Sequence, residues 1–297
     1  MTEFPIQREE LLGLIQGYIS RMPSLPITAT KILEICNSPD TSPNDLNRVI
    51  SLDPVLTGRV LKLINSTHDS LPKKVSSLTR AIIILGFNTV KNLAMSTAAL
   101  QSLDGKESFQ ALSMDEFWTH SLCVGVTAKS IAAIKGIPVR EQEEYFVAGL
   151  LHDVGKIPLN KHFSDKYFQA LNLAKLEQDP LHRAENMIFG IDHCVVGQMI
   201  AENWRLSEAI QDSLCHHHNP EDVKEENRQL TAIVALANAY ANIFKIGSSG
   251  DPFPEDPMDT YLLEQVGLSW TKFSELGETV LDEIEKAKIF LQVTKKG

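Results

Sequence analysis

A histidine and an aspartate stand side by side at the end of an apolar run, in the segment Gly149–Lys156. The leucines before the pair predict a buried helix, and Gly155 followed by Pro158 indicates that this helix ends there. His152 and Asp153 would then lie at the edge of a core, where a carboxylate needs a cation, hydrogen-bond donors or water. A metal ion is the most specific of these options, and capping of the helix end is the plainest. The dipeptide alone leaves both open.

Further histidines fall on the apolar faces of three other predicted helices. His120 lies three residues after Phe117 and so shares its helical face. His193 begins an apolar stripe, and His217 with His218 ends another. Each histidine taken singly is more often a core residue than a ligand, but here four helices present histidine and one adds an aspartate. Imidazole nitrogen with carboxylate oxygen is the ligand mix of iron, manganese, zinc or nickel sites, so the joint pattern favours a metal site.

The other histidines and the cysteines carry no such signal. His216 lies outside the inward stripe and is interpreted as a surface residue. His68, His162 and His182 lie in predicted loops or polar surroundings, where solvation is the default interpretation. The cysteines are far apart in the chain, which predicts reduced, mostly buried thiols rather than a disulfide framework or a zinc knuckle. They are Cys36, Cys123, Cys194 and Cys215.

The composition is that of an ordinary globular protein, with 43% hydrophobic and 22% charged residues in a chain of 297. The formal net charge of -10 argues against a protein that binds nucleic acid through clustered lysines and arginines. The N-terminus lacks the basic start and apolar run of a signal peptide, and no stretch approaches the length of a membrane span. We therefore expect a cytoplasmic protein that binds neither nucleic acid nor membrane.

The hydrophobic periodicity predicts helices almost throughout, and strand alternation is nowhere sustained, so we expect an all-α protein. Residues 6–103 are expected to form an N-terminal bundle of short helices, in which Ser42–Asp45 is a capping box with proline at the first helical position. Residues 110–247 carry longer helices and all the candidate ligands. A glycine- and proline-rich linker at 248–257 leads to C-terminal helices within 258–297. The longer helices are predicted at 114–135, 141–153, 166–177, 192–204, 207–218 and 228–245.

In chain order, His120, the segment Gly149–Lys156, His193 and the His217-His218 pair resemble the HD superfamily of metal-dependent phosphohydrolases. Four N-terminal motifs narrow the resemblance to the HDOD family, the HD-related output domains of bacterial signalling proteins. They are MPSLP at Met22–Pro26, ISLDPVL at Ile50–Leu56, LINS at Leu63–Ser66 and AIIILGF at Ala81–Phe87. The resemblance covers roughly residues 15–245 and implies a helical N-terminal subdomain packed on an HD-like metal-binding subdomain.

This resemblance implies a site for one or two divalent transition-metal ions. The implied ligands are His120, His152 and Asp153 for the first ion, and His193, His217 and His218 with the bridging Asp153 for the second. Two ions that share a carboxylate would lower the pKa of a common water and neutralise a phosphate oxygen, which would make Asp153 catalytic. Lys156 would either hold a phosphate as a point charge or only solvate the helix end. Asp192 is interpreted as a helix N-cap.

The sequence departs from the HD pattern at Asn238, where an aspartate would complete the ligands of the first ion. An amide oxygen is neutral and a weaker donor, so this change is expected to weaken the first ion more than the second. The segment Asn219–Asp222 also lacks the Gly-Tyr-Pro loop of the HD-GYP cyclic-di-GMP phosphodiesterases, so that substrate is not carried over.

Three functional hypotheses follow from the resemblance. HDOD domains are regarded as signalling or interaction modules, and we favour a signalling domain with a structural or sensory metal site. Its partners would be signalling proteins or a small phosphate-containing ligand. The alternative is an active metal-dependent phosphohydrolase or phosphodiesterase that acts on a nucleotide or cyclic nucleotide. A metal-free scaffold for partner proteins is the third hypothesis, so enzymatic activity stays open at this point.

Overall fold

The computed structural model describes residues 8–21, 31–32, 42–51, 57–58, 61, 77–85, 111–251, 253, 260–277, 280–281 and 284. The regular elements of this part of the chain are α-helices and one 3-10 turn, with no strand among them, which confirms the predicted all-α class. In chain order they are α1 (Arg8–Arg21), α2 (Pro43–Ser51), α3 (Leu78–Leu85), α4 (Met114–Ile134), α5 (Val139–Leu151), α6 (Lys156–His162), α7 (Ser164–Glu177), α8 (Leu181–Phe189), α9 (His193–Asn203), α10 (Glu208–His216), a 3-10 turn (Pro220–Asp222), α11 (Glu225–Ile243), α12 (Thr260–Val266) and α13 (Trp270–Ser274).

The chain divides into two compact units. One contains Met1–Met22, Lys106–Ile137 and Glu144–Val280, and it holds every candidate ligand. We call it the histidine unit. The other contains Pro23–Gly105, Pro138–Glu143 and Leu281–Gly297. Helix α1 thus belongs to the histidine unit, where it packs against α6, α8 and α9, whereas the sequence analysis grouped it with the other short N-terminal helices.

The predicted capping box at the start of α2 is confirmed. The Ser42 backbone N–H donates to Asp45 Oδ2 at 3.0 Å, and the Asp45 backbone N–H donates back to Ser42 Oγ at 3.4 Å. Proline at the first helical position needs no hydrogen-bond partner there, and its fixed φ suits the turn. The buried side chains Leu46 and Ile50 lie four residues apart on one face of α2, as the apolar period requires.

The histidine unit contains the longer helices that the periodicity predicts, with ends that differ by a few residues, and two helices that the sequence analysis missed. Helix α6 starts at Lys156, directly after Gly155, and accommodates Pro158 in its first turn. Helix α8 starts after Pro180 and ends at Gly190, which has a φ of 78°. Both are too short for a clear apolar period. Both also contribute side chains to the candidate site.

Close backbone packing brings the histidine helices together. A Cβ atom added to Gly149 would lie 2.9 Å from the Cα of Gly125, so α5 and α4 are in contact along their backbones. A Cβ atom added to Gly155 would lie 2.0 Å from the carbonyl oxygen of His193. The turn that follows Asp153 therefore packs directly against the start of α9, and only glycine fits there.

None of the helices in the described ranges is both long enough and apolar enough to cross a membrane.

Candidate metal centre

His152 and Asp153 lie in the turn between α5 and α6 and are 0% and 1% exposed. The ring nitrogen Nδ1 of His152 lies 2.7 Å from the carbonyl oxygen of Gly149. A carbonyl only accepts, so Nδ1 carries the proton and Nε2 presents a lone pair. That Nε2 atom is buried without a hydrogen bond and lies 3.2 Å from Asp153 Oδ2.

His193 is the first residue of α9, whose N-cap is Asp192, as predicted. The Asp192 carboxylate accepts the Val195 backbone N–H at 3.1 Å. Nδ1 of His193 lies 2.6 Å from Oε2 of the buried Glu185, and the His193 backbone N–H donates to the same oxygen at 2.9 Å. Glu185 therefore holds the imidazole with Nδ1 as the donor and Nε2 facing inward. This Nε2 lies 3.1 Å from Asp153 Oδ1.

His217 and His218 complete this side of the cluster at the end of α10. Nδ1 of His217 lies 3.1 Å from the carbonyl oxygen of Leu214, which again leaves Nε2 as the inward atom. His217 Nε2 lies 3.4 Å from His193 Nε2 and 3.7 Å from Asp153 Oδ1. His218 Nε2 lies 3.2 Å from His193 Nε2. We call His193, His217 and His218 the Oδ1 group, because they gather around that oxygen of Asp153.

His120 and His152 lie around the other carboxylate oxygen and, with Asn238 beside His120, define the Oδ2 group. His120 Nε2 lies 3.9 Å from Asp153 Oδ2, and neither ring nitrogen of His120 makes a hydrogen bond of normal geometry. Asn238 is half-buried on α11 beside His120, where it favours the protonated ring. Its Oδ1 accepts a hydrogen bond from Asn242 at 3.3 Å. The structure thus brings the predicted histidine ligands together beside one carboxylate, with Asn238 at the edge of the cluster.

Lys156 lies on the Oδ2 side and is 1% exposed. Its Nζ donates to Asp153 Oδ2 at 2.9 Å and to Ser249 Oγ at 3.1 Å. Burial lowers the pKa of Lys156, but the neighbouring Asp153, Glu185 and Asp251 carboxylates outweigh burial and raise it. The interpretation that Lys156 only solvates the helix end is wrong, because the ammonium group is a buried partner of the carboxylate.

Electrostatics keeps most of these imidazoles neutral and Asp153 ionised. Burial and then the neighbouring rings lower the pKa of His217 and His218 well below the ordinary value, and burial with His152 lowers the pKa of His120 to about 3. Burial raises the pKa of Asp153, but His152 and Lys156 outweigh it and hold that pKa well below its usual range. Neutral imidazoles and an ionised carboxylate are the protonation states that metal binding requires.

These residues fit a metal ion. In His152, His193 and His217 an acceptor binds Nδ1, so their Nε2 lone pairs all point toward Asp153. Lone pairs and a carboxylate repel one another unless a cation lies between them. A proton on His193 Nε2 meets this need in the metal-free protein: burial lowers the pKa of His193, but Cys194, Glu185 and Asp153 raise it well above its ordinary value. A metal ion would replace that proton.

Several side chains around the site were not assigned to it from the sequence. Glu185 and Ser249 lay outside every predicted motif, and Cys194 was interpreted as an ordinary thiol. His182 was interpreted as solvated, but it is only partly exposed and stacks on His218, with ring centroids 4.3 Å apart. His162 is exposed and His216 is half-buried, and neither belongs to the cluster. His68 lies outside the described residues.

A family model described as the HDOD domain matches residues 22–220, more than half of the chain. This chain belongs to the HDOD family. The match confirms the resemblance inferred from the N-terminal motifs, and it extends through the Oδ1 group to the end of α10.

One curated relative and one solved structure are similar to this chain over most of its length. An uncharacterized protein of Treponema pallidum (strain Nichols) is 26% identical over 239 residues, which cover 80% of this HDOD chain and 45% of the relative. The chain thus spans less than half of that relative's length. A similar solved structure is that of an HDOD domain protein with unknown function from Geobacter sulfurreducens, which is 28% identical and has a TM-score of 0.77. The match covers 96% of this chain and 100% of that chain.

Two further solved structures share the fold at lower identity. A candidate signal transduction protein from Marinobacter aquaeolei VT8 has a TM-score of 0.78 at 18% identity, with 97% of this chain and 66% of that chain covered. A candidate phosphohydrolase from Shewanella amazonensis SB2B has a TM-score of 0.70 at 20% identity, with 93% and 97% covered. Proteins described as a signal transduction protein and as a phosphohydrolase therefore share this fold, so the function has to be argued from the site.

Proposed function

We propose that this HDOD protein is a signalling domain that holds a divalent transition metal at its His/Asp cluster as a structural or sensory group. The observation that carries the proposal is the convergence of three Nε2 atoms on the buried Asp153 carboxylate. A purely structural core is not expected to be built this way, because ring nitrogens and a carboxylate this close together need a proton or a cation between them.

The proposed ligands fall into the two groups that share Asp153. The Oδ1 group would hold one ion through His193, His217, His218 and Asp153 Oδ1. The Oδ2 group would hold a second, weaker ion through His120 and His152, with Asn238 as a neutral ligand. When bound, such an ion supplies positive charge and Lewis acidity at the carboxylate. The residues themselves orient the imidazoles and keep water away from them.

Burial supports a structural or sensory role over catalysis. Five of the seven proposed ligands are at most 2% exposed, namely His120, His152, Asp153, His193 and His217, whereas His218 and Asn238 are half-buried. Structural metal sites are closed by protein ligands, whereas catalytic sites keep a position open for water or substrate. A closed site can still report a signal, because loss or oxidation of its metal changes the packing of the four segments that supply the ligands.

Elemental analysis of protein purified without a histidine tag tests the metal, together with the variant His193→Ala. His162→Ala serves as the matched control, because His162 is exposed and outside the cluster. We expect transition metal in the parent and the control, and a large loss in His193→Ala. Absence of transition metal from the parent would contradict the proposal and leave a metal-free interaction scaffold.

A metal-dependent phosphohydrolase is the second candidate function. The observation that favours it is the position of Asp153, whose two oxygens face different histidine groups, as a bridging carboxylate requires. Lys156 beside that carboxylate would supply a charge for a phosphate. The substrate would be a nucleotide or cyclic nucleotide.

A turnover screen separates the two functions. The substrates are a generic phosphate ester, nucleotides and cyclic dinucleotides, and the enzyme is the metal-loaded protein. Under the signalling proposal we expect no turnover that depends on both His152 and Asp153. Turnover that disappears in His152→Ala and in Asp153→Asn, but persists in His162→Ala, would overturn it in favour of the hydrolase.

A further inference from the structure

Cys194 lies next to the Oδ1 group, directly after His193 in the first turn of α9. Its side chain is 4% exposed, and its Sγ lies 4.0 Å from both Nδ1 and Nε2 of His217. One ligand atom from each of His193, Cys194, His217 and His218 lies within 4.8 Å of the other three. Four donor atoms of metal-binding types are therefore gathered in one small volume.

The spacing suits coordination of a single ion. Ligand atoms at about 2.0–2.3 Å from zinc are separated by roughly 3.3–3.6 Å when the geometry is tetrahedral. The distance of 3.4 Å between His193 Nε2 and His217 Nε2 already matches that value. The Cys194 sulfur lies 4.0 Å from His217 Nε2, a few tenths of an ångström beyond that range, and within 4.8 Å of the ligand atoms of His193 and His218.

A thiol hydrogen bond to His217 explains this position poorly. The sulfur is equally far from the two ring nitrogens of His217, so the thiol does not point at the Nε2 lone pair. His217 Nδ1 already donates to the Leu214 carbonyl. A second observation points to positive charge beside this group, because His193 Nε2 and His217 Nε2 lie 3.1 Å and 3.7 Å from the buried Asp153 Oδ1 and need a proton or a cation between them.

We propose that Cys194 is a thiolate ligand of the metal ion held by the Oδ1 group, which makes this a site of three histidines and one cysteine beside the Asp153 carboxylate. The inference rests on the proposed metal site and adds a sulfur ligand to the three histidines and the Asp153 oxygen already assigned to it. On binding, the S–H bond gives way to a sulfur–metal bond and the proton leaves to solvent. Thiolate ligands favour borderline-soft ions, so the site selects Zn²⁺ over Mn²⁺.

Absorption spectra of the protein loaded with Co²⁺ test this ligand directly. Cobalt in a site of low coordination number shows visible d–d bands, and a thiolate ligand adds a sulfur-to-cobalt charge-transfer band in the near ultraviolet. We expect both in the parent protein. Cys194→Ser should keep the d–d bands, because the histidines remain, and lose the charge-transfer band. Cys215→Ser and Cys123→Ser are the controls, and both should keep it.

The outcomes separate this inference from the proposed function. If the parent shows d–d bands without the charge-transfer band, or Cys194→Ser retains that band, Cys194 is not a ligand and the metal site stands. If the parent shows no cobalt bands at all, the metal site and the ligand fall together. Retained d–d bands in Cys194→Ser also demonstrate that the variant folds, and Cys194→Ala provides a second variant if they are lost.

A competition titration with Zn²⁺ and Mn²⁺ measures the selectivity. Loss of an outer partner of a metal ligand costs about 10–100-fold in affinity, so loss of a direct ligand should weaken Zn²⁺ binding by at least about 10-fold. Manganese gains little from sulfur, so its affinity should change much less. Equal losses for both ions in Cys194→Ser would overturn the proposal.

Discussion

The Oδ1 and Oδ2 groups share one carboxylate but hold their histidines differently. In the Oδ1 group, Glu185 and the Leu214 carbonyl bind the Nδ1 atoms of His193 and His217 and orient the rings. In the Oδ2 group, His152 is held in the same way, whereas His120 makes no hydrogen bond of normal geometry at either nitrogen. The Oδ2 side also carries the ammonium group of Lys156 and the neutral amide of Asn238. We infer that the Oδ1 group is prepared for an ion and that the Oδ2 group binds one weakly.

The largest expected effect comes from Asp153→Asn, which removes the only carboxylate common to both groups. Metal content should fall strongly, because the Oδ2 group keeps no anionic ligand and the Oδ1 group keeps only the proposed Cys194 thiolate. The change also leaves Lys156 buried without its partner, which should cost about 3–5 kcal/mol of unfolding free energy. Elemental analysis and urea denaturation measure the two effects. Asp165→Asn, at an exposed position on α7, is the control.

The double variant Asp153→Asn/Lys156→Met separates these two effects. Methionine removes the unpaired charge, so much of the stability should return while metal stays absent. If the double variant binds metal as the parent does, Asp153 does not hold the ion.

Glu185→Gln tests how the Oδ1 group is oriented. An amide can still reach His193, but it accepts more weakly and is neutral, so we expect metal affinity to fall by about 10–100-fold. Competition with a chelator of known affinity measures the change, and Glu202→Gln at an exposed position on α9 is the control. An affinity equal to the parent's would mean that Glu185 contributes nothing to ligand orientation.

Asn238→Asp tests why the Oδ2 group is expected to bind a metal ion weakly. A carboxylate beside His120 adds negative charge to the Oδ2 group, so the ratio of bound metal to protein should rise there. Isothermal titration gives the stoichiometry, and Asn242→Asp, one helical turn further on, is the control. If the ratio and the affinity both stay unchanged in Asn238→Asp, the neutral amide is not what weakens the Oδ2 group.

In chelator-treated protein, His120 and His193 should change the free energy of unfolding in opposite directions as the pH falls. These two changes partly cancel, so this is the smallest of the expected effects. The pKa of His120 is lowered in the folded state from 6.5 to about 3, so the unfolded chain takes up the proton first and stability falls as pH drops below 6.5. The pKa of His193 is raised, so its contribution to stability is present at low pH and is lost as pH rises.

Urea denaturation of chelator-treated variants measures this difference. The measurements run from pH 8 to pH 5, which covers about one to two pH units on either side of the ordinary histidine pKa. His120→Gln should make the loss of stability in acid smaller, and His193→Gln should make it larger. Equal effects of the two variants would contradict the assigned directions.

Much of the fold and of the cluster could be predicted because periodicity identifies which residues face inward. The face that Phe117 shares with His120 contains both in the structure, and each is 1% exposed or less. The end of α5 at His152 and Asp153 was predicted from glycine and proline. Periodicity does not indicate which helices pack against each other. The family motifs predicted that the histidine-bearing helices meet at one site.

The missed residues share a physical reason. Glu185 lies on the buried face of α8 with Leu181, Ala184 and Phe189, and a search for apolar periodicity passes over a carboxylate on such a face. Cys194 follows His193 in sequence, and neighbours in a helix point about 100° apart, so a face argument that selects one excludes the other. His193 and Cys194 both reach the site because the site lies at the first turn of α9. Lys156 is buried because it is the first residue of helix α6, whereas the sequence predicted a solvated helix end at this position.

The most direct measurement of the central claim is the ratio of bound metal to protein, determined by equilibrium dialysis for the parent, His193→Ala and His120→Ala, all without a histidine tag. The account predicts that His120→Ala keeps about one ion per chain, as the oriented Oδ1 group requires, and that His193→Ala loses it. Metal retained in His193→Ala but lost in His120→Ala would contradict the account.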